Sequence, residues 1–186
     1  MMKKIIAALL AGLTLFALVG CSAGSKADSS TPKDYSQIIH DARSDEDNEY
    51  DMIFTKGEDG KFTAVDGYSA EYEPDQLDDE IRNILMPLLD LEEDQYTSFA
   101  ASISSMMVRS YAIAIVKPAE GKTDAVKAAL EAYVESERQS MEHYLEDQYL
   151  VAKAATVTVA PTGEVVLVCA EDHDTILSNI EKALAA

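Results

Sequence analysis

The sequence predicts an α+β domain in which a small, mainly antiparallel sheet packs against one long helix and a C-terminal helix. The second half of the chain carries this prediction, because short runs rich in β-branched residues alternate there with apolar residues at helical spacing. Turn-forming residues separate two pairs of runs at hairpin length. Hairpins pair neighbouring strands in antiparallel fashion.

The first elements of the domain are short. Tyr35–Ala42 is predicted as a helix, and the acidic residues 44–49 are expected to be exposed because of their charge. Two apolar segments, residues 51–55 and 61–65, flank Gly57-Glu58-Asp59-Gly60. An Asp-Gly pair between apolar runs predicts a hairpin.

A helix is predicted to start near Asp75, because Pro74 and the acidic Asp78 favour a helix N-terminus. Pro87 should kink or end this helix, since proline removes a backbone donor. Helical spacing places five residues on its buried face: Leu77, Ile81, Ile84, Leu85 and Leu88.

The next elements are two strands and a long helix. Strands are predicted over residues 96–103 and 108–116, and Pro118 ends the second. The long helix is expected to run from Thr123, as its cap, to about Gln148. Its inner face is predicted to carry Val126, Leu130, Tyr133, Val134, Met141, Tyr144 and Leu145.

A second hairpin and a last helix complete the prediction. Residues 155–159 and 165–169 are β-branched runs around Ala160-Pro161-Thr162-Gly163, which indicates a tight turn. The last helix should begin near Asp174 and bury Ile176, Leu177, Ile180 and Leu184.

The N-terminus resembles a bacterial lipoprotein signal peptide, residues 1–20. A short basic start precedes an apolar run, residues 5–18, that is shorter than the roughly 20 residues needed to span a bilayer. Leu18-Val19-Gly20-Cys21 then reads as a lipobox. We expect cleavage between Gly20 and Cys21 and attachment of a diacylglyceryl group to the Cys21 sulfur.

Lipidation of Cys21 predicts a location. Two or more acyl chains, palmitate among them, hold a protein durably on a bilayer, so the membrane is one expected partner. Residues 21–33 read as the lipidated N-terminus and a flexible spacer, and residues 34–186 as a single domain. The chain is therefore expected at the cell membrane, lipid-anchored on its extracytoplasmic face.

Charge limits the possible partners. The sequence has 15 basic and 34 acidic residues, a net charge of −19, and loss of Lys3 and Lys4 with the signal peptide changes it to 13 − 34 = −21. This excess repels phosphate backbones, which excludes nucleic acid as a partner. Cations or basic peptides are the partners that the charge would favour.

Cys169 is the second cysteine, and with Cys21 bound to lipid it has no disulfide partner in the mature chain. It ends the apolar run 165–170, where a free thiol typically behaves as a small buried hydrophobe. Its acidic neighbours, Glu171, Asp172 and Asp174, should raise the thiol pKa and keep it unreactive.

No catalytic motif is complete. Gly121-Lys122-Thr123 resembles the end of a phosphate-binding loop, but Val116 stands where that loop needs a glycine. Ser30-Thr31-Pro32-Lys33 matches Ser-x-x-Lys, yet it lies in the spacer without its partner motifs. Serines at 98, 102, 104, 105 and 110 lack a nucleophile elbow and are expected on the outward faces of strands.

Metal-binding patterns are also incomplete. Asp45, Asp47, Glu49 and Asp51 alternate like the start of a calcium loop, but Tyr50 and Lys56 replace the turn glycine and the bidentate glutamate. A weak, irregular cation site remains an alternative. The three histidines, at 40, 143 and 173, lack zinc spacing, so no metal or cofactor is expected.

Aromatic and sulfur-containing residues are predicted to serve packing. Tyr133 and Tyr144 share the inner face of the long helix and are expected in the core, with their hydroxyl groups at its edge. Met106, Met107 and Met141 are likewise expected to pack inside.

A strand, a long helix ending in Tyr144-Leu145-Glu146-Asp147-Gln148-Tyr149, a β-hairpin and an acidic-capped helix follow one another. This order resembles a domain of unknown function carried by Gram-positive lipoproteins, over about residues 75–186. Members of that family often have proline where Glu146 stands. The resemblance implies the fold and the location, and it implies no catalytic residue.

The sequence thus favours a non-enzymatic binding or interaction module of the cell envelope, whose partner is an envelope protein or a small ligand. An envelope hydrolase with an unrecognised site is the alternative from another class. A two-lobed solute receptor is disfavoured, because it needs about twice this length.

Overall fold

Six strands form one antiparallel sheet in the order β2-β1-β3-β4-β6-β5. The computed structural model describes residues 33–104, 106 and 108–186. The expected signal peptide, Cys21 and the spacer up to residue 32 lie outside the described residues. The strands are β1 Ile53–Lys56, β2 Phe62–Val65, β3 Tyr96–Ile103, β4 Ala112–Pro118, β5 Thr156–Val159 and β6 Val165–Cys169.

The two predicted hairpins are confirmed, and they form the two edges of the sheet. In one hairpin Phe54 lies opposite Ala64, and in the other Val157 lies opposite Leu167. Between them β3 and β4 pair over their full length, with Ala100 opposite Ile115. Strand β6 continues the sheet from β4.

Helices cover both faces of the sheet. The helices are α1 Tyr35–Ala42, α2 Asp45–Tyr50, α3 Pro74–Glu80, α4 Met86–Leu88, α5 Thr123–Met141, α6 Glu146–Ala154 and α7 His173–Ala185, with a π-helical turn at Ile81–Leu85 and a 3-10 turn at Ser69–Glu71. Helices α3 to α6 pack on one face, and α1 and α7 on the other.

Strand β4 shows how one sequence supplies two cores. Its small residues Ala112 and Ala114 face the core that contains α5, whereas Ile113 and Ile115 face the core that contains α1 and α7. Successive strand residues point to opposite faces of the sheet. The two alanines therefore let α5 approach one face closely, and the two isoleucines fill the core on the other face. The predicted α+β class, with a long helix and a C-terminal helix on an antiparallel sheet, is confirmed.

The π-helical turn corrects the predicted face of the third helix. Met86 donates its backbone N–H to the carbonyl oxygen of Ile81, five residues back. Such a turn inserts one residue and rotates the following face by about 100°. Leu85 is buried as predicted and Leu89 is buried with it, whereas Ile84 and Leu88, expected inside, are exposed.

The long helix is shorter than predicted. It ends at Met141, and α6 starts at Glu146 after a turn, so Tyr144 is 65% exposed instead of lying in the core. Arg138 Nε donates to the carbonyl oxygen of Ala152 across 3.0 Å, which joins α5 to α6. The N-cap is Lys122, and the expected cap, Thr123, is the first helical residue.

Strand β4 also starts later than predicted, at Ala112 instead of residue 108. Val108, which lies between β3 and β4, is exposed, and Ser105 and Met107 lie outside the described residues. Met106, expected in the core, is exposed as well. In the part of the chain that the structure describes, no helix combines the length and the apolarity that crossing a membrane requires.

Candidate functional site

A cleft of about 780 Å³ opens at one end of the sheet. The end of α1, helix α2 and the start of α7 form its walls, together with Met106 and residues 109–111 between β3 and β4, and Gln148 of α6 adds to them. These elements are distant in sequence, so the cleft is a product of the tertiary fold.

The wall of the cleft is built around Arg43, the residue after α1. Its side chain is fully buried. Nη1 donates to Ser102 Oγ across 2.7 Å and to Tyr111 OH across 3.0 Å, and Nε donates to Asn48 Oδ1 across 2.6 Å. Burial raises the pKa of Tyr111 to about 12, so its hydroxyl group is neutral. Arg43 thereby joins α1 to α2 and to the central strands.

The charge of Arg43 is balanced by Asp66. Nη2 of Arg43 lies 3.0 Å from Asp66 Oδ2 and also donates to the carbonyl oxygen of Asp51. Asp66 follows β2 with a φ of 63°, a left-handed conformation that aspartate tolerates better than most residues. The ring nitrogen Nδ1 of His40 lies 2.9 Å from the same carboxylate.

A second guanidinium lies in the cleft itself. Nη2 of Arg109 lies 2.7 Å from Asp47 Oδ1, and Nη1 lies 2.6 Å from Asp51 Oδ2. The guanidinium also lies over the ring of Tyr111, 4.2 Å from its centre, in a cation–π arrangement. Burial lowers the pKa of Arg109, but the two carboxylates outweigh it and raise the pKa overall.

Most residues of the acidic run are exposed, as expected, but two of the carboxylates in and after it have an arginine partner. Residues 45–50 form helix α2, and Asp47 and Asp51 lie one turn apart and partly covered, where they bind Arg109. Within the described residues no three acidic, histidine or cysteine side chains are arranged to hold a metal ion.

The lining of the cleft carries an excess of negative charge. Two arginines, Arg43 and Arg109, line it together with six acidic residues. The acidic residues are Asp41, Glu46, Asp47, Asp51, Glu171 and Asp172. In the described chain Asp41, Glu46, Glu171 and Asp172 form no ion pair with lysine or arginine, and all four are exposed. The cleft also has an apolar rim, because Tyr50 is 53% and Met106 is 56% exposed.

Behind the cleft, Ser110 meets α5 and α6. The backbone N–H of Ser110 donates to Gln148 Oε1 across 2.9 Å. Burial raises the pKa of Glu137, which lies on α5 close to Ser110. A half-buried carboxylate thus lies against the segment that carries Arg109.

Cys169 is fully buried at the end of β6, as predicted. Burial raises its pKa to about 12, and the charge of Glu137 adds to the increase. The predicted direction is thus confirmed, but the charged neighbour is on α5, which packs on the face of the sheet that contains Cys169, instead of next to Cys169 in sequence. The thiol is neutral at physiological pH.

The serines are the clearest correction. Ser98, Ser102 and Ser110 are buried, although alternation predicted an outward face. The prediction failed for Ser98 and Ser102 because helices cover β3 on both faces. Ser110 lies before β4 instead of on a strand, and it packs against α6. Ser102 instead accepts from Arg43.

The structure separates the remaining candidates. His143 is exposed on the turn after α5, and His173 is the first residue of α7. Lys122, in the sequence that resembled a phosphate-binding loop, lies 2.8 Å from Asp94. Gly20 and Cys21 are outside the described residues.

Sequence reasoning missed Arg43 and Arg109. Each is a single basic residue with no motif around it. Their partners are up to 68 positions away in sequence, so no local signal could have identified them.

A smaller cavity of about 370 Å³ lies on the other side of the sheet, beside the turn after α4. Arg82, Met86 and Tyr96 contribute to its lining. Arg82 is held by Asp78 and Glu93 at 3.0 and 2.9 Å. This cavity contains no buried polar group that lacks a partner, within the described residues.

No curated protein and no solved structure is significantly similar to the chain. Residues 68–170 match a family described as Domain of unknown function (DUF4358). The match includes β3 to β6 with α5 and α6, whereas all six acidic residues of the cleft lie outside it. Because the match spans more than half of the chain, the protein belongs to the DUF4358 family.

Proposed function

We propose that the protein is an extracytoplasmic lipoprotein of the cell envelope, held on the membrane by lipid on Cys21. Its folded part is a non-enzymatic binding module, and the cleft between α1, α2 and α7 is its binding site. The resemblance to lipoprotein domains favours the envelope of a Gram-positive bacterium.

The observation that carries this proposal is the cleft. Its volume of about 780 Å³ falls in the range of about 300–1,000 Å³ that is typical of ligand sites. Arg43 and Arg109 hold its walls through hydrogen bonds to α2 and its C-cap, to β3 and to the residue before β4. A wall that is already ordered costs little conformational entropy when a ligand binds.

The anchor rests on the sequence. The lipobox ends at Cys21, and polar residues follow at once. A spacer of small and polar residues, 22–33, then separates the lipid from the first helix. Such a spacer would leave the cleft free to meet a partner near the membrane.

The lining favours binding over catalysis. Ser44 is the N-cap of α2, and its hydroxyl group donates to Asp47 Oδ2 across 2.9 Å. The other serine of the lining, Ser110, is buried. Neither hydroxyl group has a histidine beside it among the described lining residues, and nucleophilic serine chemistry needs such a base.

The hydrolase alternative would rest on His40. Its Nδ1 lies 2.9 Å from Asp66, the arrangement that orients a catalytic base. However, Asp66 is also the counter-ion of Arg43, and His40 is not part of the cleft lining. The pair therefore fits a structural link between α1 and the turn after β2.

Site-specific photo-crosslinking in intact cells tests the proposed function. Thr175 is exposed in the cleft, and Ala132 is exposed on the outer face of α5, which makes it a matched control. We expect a crosslinker at position 175 to give a discrete product that position 132 does not give. Native mass spectrometry of the protein extracted from the same cells would detect a small ligand instead.

Equal crosslinking from both positions would contradict a binding site in the cleft. The absence of both a crosslinked product from position 175 and a bound small molecule in native mass spectrometry would also contradict it. If the protein hydrolyses an envelope substrate, and if His40→Ala abolishes this activity while the fold is retained, the protein is a hydrolase and the proposed binding module is wrong.

A further inference from the structure

We infer that the cleft binds a basic polypeptide segment of a partner protein. Lysine or arginine side chains of this segment meet the unpaired carboxylates of the cleft, and its apolar side chains pack on Tyr50 and Met106. This inference rests on the proposed function, because it takes the cleft as the binding site and assigns the chemistry of its occupant.

The charges of the cleft are complementary to a basic ligand. Arg43 is paired with Asp66, and Arg109 already faces two carboxylates. Four exposed acidic residues, Asp41, Glu46, Glu171 and Asp172, are then left without a basic partner in the described chain. Carboxylates around a concave, low-dielectric surface concentrate negative potential and attract cationic groups.

These four carboxylates lie on separate walls of the cleft. Asp41 and Glu46 belong to the wall formed by α1 and α2, whereas Glu171 and Asp172 precede α7. In the described residues no three acidic side chains converge as a metal site requires. Charges on separate walls are better matched by several cationic side chains of an extended ligand than by one compact ion.

The apolar rim of the cleft offers a surface for apolar side chains of the ligand. Tyr50 and Met106 are both more than half exposed, and both line the cleft. Tyrosine and methionine are enriched at protein interfaces, since they bury large areas and adapt their shape. A segment that carries both basic and apolar side chains satisfies the carboxylates and covers this rim.

A second copy of the chain is a poor occupant. The net charge of the sequence is −19, so two copies repel each other at this surface. A basic segment is attracted by the same field, and the attraction should weaken as salt screens it.

Fluorescence polarisation tests the inference on the full-length chain carrying Cys21→Ala. Three labelled peptides of equal length are the probes. One alternates arginine and leucine, one has glutamate in place of arginine, and one has glycine in place of leucine. We expect the first to bind, the second not to bind, and the third to bind at least about tenfold more weakly, because it makes no apolar contact.

A charge variant of the cleft provides the main control. Asp41→Asn, Glu171→Gln and Asp172→Asn together remove three exposed carboxylates, and Asp172 makes no side-chain cap bond to α7. The matched variant, Glu120→Gln, Glu142→Gln and Glu181→Gln, removes three exposed carboxylates outside the cleft. Only the first variant should weaken the arginine-leucine peptide by about tenfold or more, and both should unfold near the temperature of the parent chain.

Several results would overturn the inference. If both variants weaken binding of the arginine-leucine peptide equally, the peptide is attracted diffusely by the whole acidic surface. If spermidine or calcium at equal charge displaces the peptide, the occupant of the cleft is a small cation. A dimer that only the cleft variant abolishes would make the occupant a second copy. If no peptide binds while crosslinking from position 175 persists in cells, the inference fails and the proposed function stands.

Discussion

The guanidinium of Arg43 lies 3.0 Å from the carboxylate of Asp66, across 23 positions of sequence, and it is fully buried. The pair joins the end of α1 to the turn that follows β2. Buried ion pairs are costly to break, because the remaining charge is left without a partner in a poorly solvated place.

Replacement of Arg43 by methionine should therefore destabilise the fold strongly. Asp66, Ser102 and Tyr111 would lose their shared donor, and we expect a loss of about 3–5 kcal/mol in the free energy of unfolding, measured by urea denaturation. Lys127→Met, which breaks the exposed pair with Glu131, should change it by less than about 1 kcal/mol. Equal losses in the two variants would contradict a special role for Arg43.

Glu137 should make stability depend on pH. Burial raises its folded pKa above the ordinary value of 4.5, so folding is favoured by the neutral carboxyl. This contribution is fully present below about pH 4.5 and is lost as the pH rises through the higher folded pKa. Glu137→Gln should thus stabilise the fold at pH 7 relative to the parent, and the difference should shrink towards pH 4.5.

Urea denaturation of both chains across this pH range measures the effect. Glu135→Gln, on the exposed face of the same helix, is the matched control and should show no such trend. A stability difference that stays constant with pH would indicate that Glu137 does not titrate in this range.

Cys169 should react slowly in the native protein, because its thiol is buried and its pKa is raised to about 12. A thiol reagent applied to the Cys21→Ala chain should modify Cys169 only as fast as the domain opens. Cys169→Ser should destabilise the fold by about 1 kcal/mol or more, since it buries a poorly paired hydroxyl group. Rapid labelling under native conditions would reveal an accessible thiol and contradict this prediction.

The anchor is tested by acyl labelling in cells. Cys21→Ala should abolish incorporation of labelled palmitate and partitioning into the detergent phase, because the lipid is attached through that sulfur. Cys169→Ala should leave both unchanged, since its thiol is buried. Labelling that survives in Cys21→Ala would refute the lipoprotein assignment.

Millimolar calcium should stabilise the fold modestly and diffusely, by relieving repulsion among the acidic residues. Sodium chloride at matched ionic strength should reproduce much of the effect. Asp47→Ala should not abolish it, because Asp47 is bound to Arg109. A stoichiometric micromolar site in titration calorimetry, lost in Asp47→Ala, would instead identify a calcium-binding protein.

The helix positions show how far local patterns reach. Tyr35–Ala42 is a helix as predicted, because Asp34 caps it and the pattern of apolar residues is local. After Ile81 two of the three predicted face residues, Ile84 and Leu88, were wrong, because a single π-helical turn shifts the register of the residues that follow. Local patterns predict that a helix exists, and packing decides which of its faces is buried.

The sequence by itself determined the two hairpins, the fold class, the net charge and the burial of Cys169, because each depends on neighbouring residues or on composition. Only the tertiary structure decided that Ser102 is buried and that Arg43 and Arg109 build a cleft. Their hydrogen bonds join residues up to 68 positions apart, and such contacts depend on how the helices pack against the two faces of the sheet.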